Sequence, residues 1–169
     1  MLSLVKTFVL PYNAFMKIEQ KIADLFISEK KSLSIAESCT GGLISNRLTN
    51  ISGSSAFLKL GLVTYSNDSK IKLLKVPEET IKKHGAVSFQ TTIAMAKGCK
   101  KILNTDFSIG LSGIAGPTGG TKSKPVGLVF IAICSNYETI CLECVFTGTR
   151  SNIRSKASTQ ALKLLLEFL

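Results

Sequence analysis

The stretch VGLVFIAIC, residues 126–134, decides the fold class of this chain. It is a continuous apolar run, and such a run is typical of a strand that is buried on both faces of a sheet. Asn136 and Tyr137 predict a turn after it, and the alternating stretch TICLECVF, residues 139–146, predicts its antiparallel partner. Together the two stretches indicate a sheet with at least one antiparallel pair.

Outward from this hairpin, three more predicted strands alternate with helices. The strand candidates are SLSIAES at residues 32–38, KLGLVTYS at residues 59–66 and DFSIGLS at residues 106–112. Apolar residues at helical spacing predict helices over residues 15–30, from 43 to near Gly53, in two short segments on either side of Pro77, over residues 88–104 and from Arg150 onward. Interleaved strands and helices predict an α/β fold, a layered sandwich in which helices flank a mixed β-sheet.

The length and composition of the chain are those of one packed domain. With 169 residues, 45% of them hydrophobic, it can bury a core of its own. Its apolar runs are shorter than the roughly 18 residues of a membrane helix, and no small-residue cleavage site follows the apolar start, so we expect a cytoplasmic protein. Because Met16 stands just before the first helical pattern, residues 16–169 are predicted to be a single domain, and residues 1–15 a dispensable extension or a misassigned start.

The cysteines and the charge narrow the class of partner. Five cysteines, an odd number, do not form a disulfide framework. Cys141 and Cys144 are three positions apart on a strand, so they face opposite ways and cannot share a metal ion. With a single histidine as well, we expect no metal. The net charge of +10 predicts an anionic partner, and because the lysines are scattered and aromatic residues are 7% of the chain, a phosphorylated small molecule fits better than a nucleic acid.

The stretch AESCTGG, residues 36–42, places a carboxylate, two hydroxyls and a thiol between a strand and a helix. Ser or Thr in this place is often only a helix N-cap. A cap does not explain Gly41 and Gly42, which weaken a first helical turn but leave backbone N–H groups open to an anion or an oxyanion. The pattern alone therefore leaves two interpretations, a cap and a catalytic or anion-binding loop.

A nucleophile in this stretch needs a base. The single histidine, His84, stands beside Gly85 at a predicted helix end. A lysine can replace histidine in a Ser–Lys pair if its pKa falls from about 10.4 toward 7–8. Lys70 follows a strand end at the start of a helix, where it could share a sheet edge with Ser38, although from spacing alone an ordinary surface lysine is the simpler interpretation. Cys39 competes with Ser38 as the nucleophile.

A glycine-rich loop is the third candidate. The stretch GLSGIAGPTGGTKSKPVG, residues 110–127, holds six of the 13 glycines between two buried strands. Such a loop can be a mobile connection, or its N–H groups can form a nest for a phosphate or a carboxylate. It matches neither a Walker A sequence nor G-x-G-x-x-G, so it indicates no particular nucleotide-binding fold.

Four motifs, taken in order, resemble a known family. They are AESCTGG (36–42), TYSNDSK (64–70), SGIAGPTGG…KPVG (112–127) and FTGTR–NIR (146–154). Over roughly residues 17–168 the chain is similar to the C-terminal domain of the competence/damage-inducible protein CinA, whose stand-alone versions are nicotinamide mononucleotide deamidases (PncC). The resemblance implies an α/β sandwich, a homodimer, and an amidohydrolase without metal or cofactor. Such an enzyme converts nicotinamide mononucleotide to nicotinate mononucleotide and ammonia, in pyridine nucleotide salvage.

The resemblance also implies roles for individual residues. Ser38 matches the family nucleophile, Lys70 the lysine paired with it, and Tyr65 a site tyrosine. The positions that it implies for substrate binding are Thr40, Gly41, Gly42, Ser112, Gly113, Gly116 and an arginine, either Arg150 or Arg154.

The chain departs from the family pattern in two places. The family often has N-E-A-K where this chain has NDSK at residues 67–70, a change that keeps the acid. It often has G-D-R where this chain has GTR at residues 148–150, so an acidic contact beside the arginine is missing.

Two other functions stay open at this point. A non-catalytic nucleotide-binding or competence-related accessory protein would bind nicotinamide mononucleotide or DNA without releasing ammonia, and a related deamidase would hydrolyse a different amide. The intact set of Ser38, Tyr65 and Lys70 favours an enzyme, because a protein that only binds has little use for a buried lysine. We expect no nucleic-acid partner and no membrane partner.

Overall fold

The structure, a computed structural model, describes residues 17–169. The predicted extension over residues 1–15 lies outside these residues, as do Phe15 of the first helical pattern and Met16. Within the described residues, one five-stranded mixed sheet carries helices on both faces. The predicted layered α/β sandwich is therefore confirmed.

The sheet combines parallel and antiparallel pairs. Its strands are β1 (Leu33–Glu37), β2 (Leu58–Val63), β3 (Phe107–Gly113), β4 (Leu128–Cys134) and β5 (Thr139–Val145). They lie in the order β2-β1-β3-β4-β5, with β1 parallel to β2 and β3, and β4 antiparallel to β3 and β5. All seven residues of β4 are buried, as its continuous apolar run predicts, and the predicted hairpin with β5 is confirmed.

Six α-helices lie in the described residues, each close to a predicted segment. They are α1 (Ile18–Ser28), α2 (Leu43–Thr49), α3 (Asn67–Leu74), α4 (Glu78–His84), α5 (Phe89–Leu103) and α6 (Arg150–Phe168). The helix after the two glycines ends earlier than predicted, at Thr49, and a short 3-10 helix over Ser54–Ala56 follows it. Among residues 17–169, no helix combines the length and the hydropathy that crossing a membrane requires.

The two faces of the sheet have different cores. On one face, α1, α2 and α6 pack against large side chains such as Ile109 and Ile131. On the other face, α3, α4 and α5 cover smaller residues such as Ala132. Cys141 packs on this second face and Cys144 on the first, as their spacing along a strand predicts.

Glycines let α5 lie close to its neighbours. A Cβ atom at Gly110 of β3 would lie 2.6 Å from the carbonyl oxygen of Thr92 and 2.8 Å from the backbone nitrogen of Ala96. On another side of the helix, a Cβ atom at Gly98 would clash with the carbonyl oxygen of Leu74. The helix is therefore held tightly between β3 and the end of α3.

One edge of the sheet gathers all four sequence motifs. Because β1, β2 and β3 are parallel, their carboxyl ends meet at this edge. The strand β4 runs the opposite way, so the glycine-rich connection over residues 114–127 lies there too. The strand β5 runs back toward the same edge and leads into α6, which begins at Arg150. Residues far apart in the sequence are thus available for one site.

Replacing Ile131 by alanine should lower the free energy of unfolding by about 2–5 kcal/mol, because the side chain is fully buried (0% exposed) in a strand that is covered on both faces. Urea denaturation followed by circular dichroism measures this loss. The control is Ile102→Ala in α5, where 44% exposure predicts a change within about 0.5 kcal/mol. Equal losses in the two variants would contradict the placement of β4 in the core.

Candidate active site

Lys70 is a buried lysine in α3. It is 1% exposed, and its Nζ lies 2.7 Å from the carbonyl oxygen of Thr64, 3.5 Å from that of Tyr65 and 3.1 Å from Oγ of Ser38. Ser66 caps α3, so the helix starts directly after the end of β2 and turns Lys70 back over it. The interpretation of Lys70 as a surface lysine is therefore wrong, and two residues 32 positions apart meet in one site.

Burial prepares Lys70 to act as a base. It lowers the pKa of Lys70 from 10.5 to about 8, because the ammonium group loses its hydration. A neutral amine has two N–H donors and one lone pair, whereas an ammonium has no lone pair. When the carbonyl oxygens of Thr64 and Tyr65 accept the two N–H bonds, the lone pair is left for the hydroxyl of Ser38. This geometry suits proton transfer from Ser38 to Lys70.

Ser38 and Cys39, the two candidate nucleophiles, follow β1 directly. Cys39 lines the cleft as well, but it is only 6% exposed and packs in the hydrophobic core. Burial raises the pKa of its thiol to about 11, so at neutral pH it is protonated and a poor nucleophile. Ser38 lies within hydrogen-bond distance of a buried amine. Of the two residues, Ser38 is better placed to attack a substrate.

A cleft of about 270 Å³ opens in front of Ser38 and Lys70. Its other walls are Cys39, Tyr65, the turn at residues 86–87, parts of the glycine-rich segment over residues 112–119, and Arg150. These walls include five residues that the family resemblance implies for the site besides the Ser–Lys pair, namely Tyr65, Ser112, Gly113, Gly116 and Arg150. Apolar side chains and polar groups thus face the same small space.

Arg150 closes the rim of the cleft. Its guanidinium group donates from Nη1 to the carbonyl oxygen of Gly116 at 2.7 Å and from Nη2 to the hydroxyl of Tyr65 at 2.8 Å. Both Arg150 and Tyr65 are exposed, so these bonds lie at the water-facing end of the cleft. The rim therefore joins the end of β2, the glycine-rich loop and the start of α6 around one cation.

Arg154 has a different position from Arg150, although it lies one helical turn further along α6. It donates from Nε and Nη2 to the carbonyl oxygen of Thr40, at 3.2 and 2.7 Å. Thr40, Gly41, Gly42 and Arg154 are not among the residues that line the cleft. These four residues, which the resemblance implies for substrate binding, form the support of the turn that carries Ser38.

The N–H groups at the start of α2 are expected from the sequence to face a substrate anion, but two of them have partners within the protein. The N–H groups of Ile44 and Ser45 already donate to the carboxylate of Glu37, at 3.1 and 2.9 Å. The N–H of Gly41 donates to the carbonyl oxygen of Ser38 at 3.0 Å. Gly41 and Gly42 have φ angles of +61° and +91°, which glycine adopts without strain, so they serve the tight turn itself.

The turn between α4 and α5 is a wall of the cleft that sequence reasoning missed. Ser112 donates from Oγ to the carbonyl oxygen of Ala86 at 2.7 Å. Lys124 donates from Nζ to the carbonyl oxygens of His84 and Val87, at 2.8 and 2.6 Å. The side chain of Ser112 therefore binds the protein's own backbone, and Lys124 of the KPVG motif ties the glycine-rich loop to the opposite wall.

The two departures from the family pattern have local structural roles. Thr149, in place of the usual acid, is the N-cap of α6 and forms a capping box with Asn152. Threonine and aspartate are both good N-caps, so the helix that carries Arg150 keeps its starting point. Ser69 likewise completes a capping box with Ser66 at the start of α3. Both changes leave the helix starts intact.

The described residues contain no group of three or more His, Cys, Asp and Glu side chains that could hold a metal ion. Fold and site together define a class of protein, an α/β sandwich in which a strand-end serine and a buried lysine share a small cleft. Residues 15–169 match the model of the CinA C-terminal domain family. The chain belongs to this family, which confirms the resemblance of its four motifs.

Similar proteins align with most of the length of this chain. It is 48% identical over 153 residues to a CinA-like protein of Syntrophus aciditrophicus and 49% identical over 141 residues to one of Endomicrobium trichonymphae. These alignments cover 90% and 83% of this chain but 36% and 33% of the relatives. The chain therefore spans about a third of the length of the relatives that it matches.

Solved structures share its fold over nearly their whole length. The competence/damage inducible protein CihA of Agrobacterium tumefaciens is 38% identical with a TM-score of 0.84, covering 92% of this chain and 98% of that one. The competence damage-inducible protein A of Klebsiella pneumoniae is 33% identical with a TM-score of 0.86, covering 89% and 93%. Both support the strand order and the helices described above.

The buried amine of Lys70 should make stability depend on pH. Between about pH 8 and pH 10.5 the unfolded chain holds a proton on Lys70 that the folded chain does not, so the free energy of unfolding rises with pH in this window. Relative to Lys70→Met, which has no such proton, the wild type should gain up to about 3 kcal/mol between pH 7 and pH 10.5. Urea denaturation at several pH values measures the difference.

The control for this measurement is Lys72→Met on the same helix, where the lysine side chain is 71% exposed. The difference between wild type and this variant should stay constant over the same pH range. A constant difference for Lys70→Met as well would show that Lys70 keeps an ordinary pKa.

Proposed function

We propose that this protein is an amidohydrolase that converts nicotinamide mononucleotide to nicotinate mononucleotide and ammonia in pyridine nucleotide salvage. The observation that carries the proposal is the buried contact of 3.1 Å between Lys70 Nζ and Ser38 Oγ at the base of an open cleft. The family to which the chain belongs supports the choice of a pyridine nucleotide as substrate. No metal or cofactor is needed, since a lysine supplies the base.

The first half of the proposed reaction forms an acyl-enzyme. Neutral Lys70 takes the hydroxyl proton of Ser38 while Oγ bonds to the carbon of the carboxamide, whose oxygen becomes negatively charged. The N–H of Ile114 already donates to the carbonyl oxygen of Leu128 at 2.8 Å, so the N–H groups of Ala115 and Gly116 in this cleft wall would stabilise the oxyanion, each good donor by about 3 kcal/mol. When the tetrahedral intermediate collapses, the C–N bond breaks, and Lys70 returns the proton to the leaving nitrogen, which departs as ammonia.

The second half releases the acid. Lys70, neutral again, takes a proton from a water molecule as its oxygen bonds to the acyl carbon. The bond from this carbon to Ser38 Oγ then breaks, and the proton passes from Lys70 back to Oγ. The products are the original Ser38 hydroxyl and a carboxylic acid, which loses its remaining proton to solvent near neutral pH, so one water is consumed for each ammonia released.

The rim of the cleft suits the phosphate of the substrate. A volume of about 270 Å³ lies near the lower end for ligand pockets, which fits one pyridine ring and leaves the ribose phosphate at the opening. Arg150 stands there with a guanidinium group that can form charge-assisted bonds to phosphate. A homodimer belongs to the proposal on the family resemblance alone, and a cytoplasmic location belongs to it because five unpaired cysteines suit a reducing compartment.

Ser38→Ala and Lys70→Met should each abolish ammonia release from nicotinamide mononucleotide, since one lacks the nucleophile and the other the base. In the wild type, kcat/KM should rise with pH and level off above about pH 8, where Lys70 is neutral. A coupled ammonia assay measures both effects, and circular dichroism checks the fold.

The control is Lys72→Met, which should keep the wild-type rate and pH profile. Near-normal turnover by Ser38→Ala would overturn the assignment of the nucleophile. Saturable binding of the nucleotide by the wild type without ammonia release would instead favour a non-catalytic nucleotide-binding or accessory protein.

Arg150→Met should raise KM for nicotinamide mononucleotide by roughly 10-fold or more, the effect of losing a bond to a charged group, while leaving kcat/KM for nicotinamide riboside, which lacks the phosphate, nearly unchanged. Steady-state kinetics with the two substrates measure this. Arg154→Met, which frees the Thr40 carbonyl, should instead lower kcat. Equal losses on both substrates in Arg150→Met would contradict a phosphate contact.

A further inference from the structure

Glu37 is a buried acid directly before the candidate nucleophile. It is 0% exposed, and within residues 17–169 its carboxylate accepts three hydrogen bonds, all from α2. The donors are the backbone N–H of Ile44 at 3.1 Å, and the backbone N–H and the hydroxyl of Ser45, both at 2.9 Å. A glutamate is rarely buried completely unless its charge is satisfied, so this contact is a fixed part of the fold.

The carboxylate closes the turn that carries Ser38. The chain leaves β1 at Glu37, passes through residues 38–42 and enters α2 at Leu43, so the side chain of Glu37 bonds the far end of the turn that begins with its own backbone. Residues 38–42 are thereby held as a closed loop. Neither Glu37 nor Ser45 lines the cleft, so neither is placed to touch a substrate.

The backbone of Glu37 reaches the lysine as well. Its carbonyl oxygen accepts the N–H of Thr64 at 2.8 Å, and the carbonyl oxygen of Thr64 accepts the bond from Lys70 Nζ at 2.7 Å. The side chain of Glu37 thus fixes the position of Ser38, and its main chain fixes the group to which Lys70 is bonded. Glu37 therefore helps to position both members of the Ser–Lys pair.

Gly61 of β2 leaves room for this arrangement. A Cβ atom there would lie 2.6 Å from Oγ of Ser45 and 3.0 Å from its Cβ. Since Oγ of Ser45 is bonded to the carboxylate of Glu37, an alanine at this position would push that hydroxyl out of place. The turn is therefore supported from three elements, β1, α2 and β2.

We propose that Glu37 is a positioning residue: its buried carboxylate locks residues 38–42 onto the start of α2 and so holds Ser38 Oγ beside Lys70 Nζ. This inference rests on the proposed function, in which Ser38 is the nucleophile. A displacement of about 1 Å between reacting groups lowers rates by about 100-fold, so loosening the turn should reduce the rate of chemistry and leave substrate binding intact.

Glu37→Gln tests the proposal, because it keeps the shape of the side chain but replaces an accepting oxygen with a donating amide. We expect kcat for nicotinamide mononucleotide to fall about 10- to 100-fold with KM within about threefold of the wild type. The rate at which diisopropyl fluorophosphate labels Ser38, followed by mass spectrometry, should fall by a similar factor. Hydrogen exchange at the Ile44 and Ser45 amides should become faster.

Smaller perturbations keep the test valid if Glu37→Gln does not fold. Ser45→Ala removes one of the three bonds, and Gly61→Ala displaces the same hydroxyl, so each should slow labelling and kcat by about 3- to 10-fold. The matched control is Glu19→Gln, which breaks the ion pair of Glu19 with Arg47 of α2 but leaves the turn untouched. It should keep the wild-type kcat and labelling rate.

Wild-type labelling and kcat in folded Glu37→Gln, or in both Ser45→Ala and Gly61→Ala, would overturn the proposal. An equal loss in Glu19→Gln would overturn it too, because general loosening of α2 would then explain the effect. If the wild type releases no ammonia yet is labelled at Ser38, the proposed substrate fails and the labelling series still decides the role of Glu37. If the wild type is not labelled at Ser38, both the role of Ser38 as the nucleophile and the positioning role of Glu37 would be contradicted.

Discussion

The parallel pairing of β1 with β2 is the contact on which the candidate site depends. It sets Glu37 opposite Val63, so the next residues, Ser38 and Thr64, leave neighbouring strands at the same edge of the sheet. Lys70 needs less than two turns of helix to return to that edge and reach the Thr64 carbonyl, where it is dry enough to lose its proton near neutral pH. An antiparallel pair would have sent the two strand ends to opposite edges of the sheet.

Much of the architecture can be predicted from the sequence because it follows local rules. The continuous apolar run of β4 and the alternation of β5 predict a buried hairpin, and Pro77 and Gly85 mark the two ends of α4. The contact between Ser38 and Lys70 cannot be predicted from local patterns, because it depends on the order of the strands in the sheet. The family resemblance of the motifs, rather than the spacing of the residues, made that pair a firm expectation.

Other parts of the site depend on packing that no local pattern encodes. Arg150 and Arg154 lie one turn apart on the same helix, so sequence alone cannot tell which one faces the cleft and which one binds the Thr40 carbonyl. The wall at residues 86–87 is held by Lys124 from a loop about 40 positions away. The hydrogen bonds of Glu37 to the start of α2 cannot be predicted from the sequence either, because an acidic residue before a serine is compatible with many structural roles.

The two guanidinium groups of α6, the last helix in residues 17–169, join this helix to a site that begins at the end of β1. Arg154 supports the turn after Ser38, and Arg150 closes the rim over it, although more than 100 positions separate each from that turn. A nascent polypeptide on the ribosome therefore possesses the serine and the lysine long before it possesses a finished cleft. The cleft therefore cannot be completed during translation until α6 has emerged and docked.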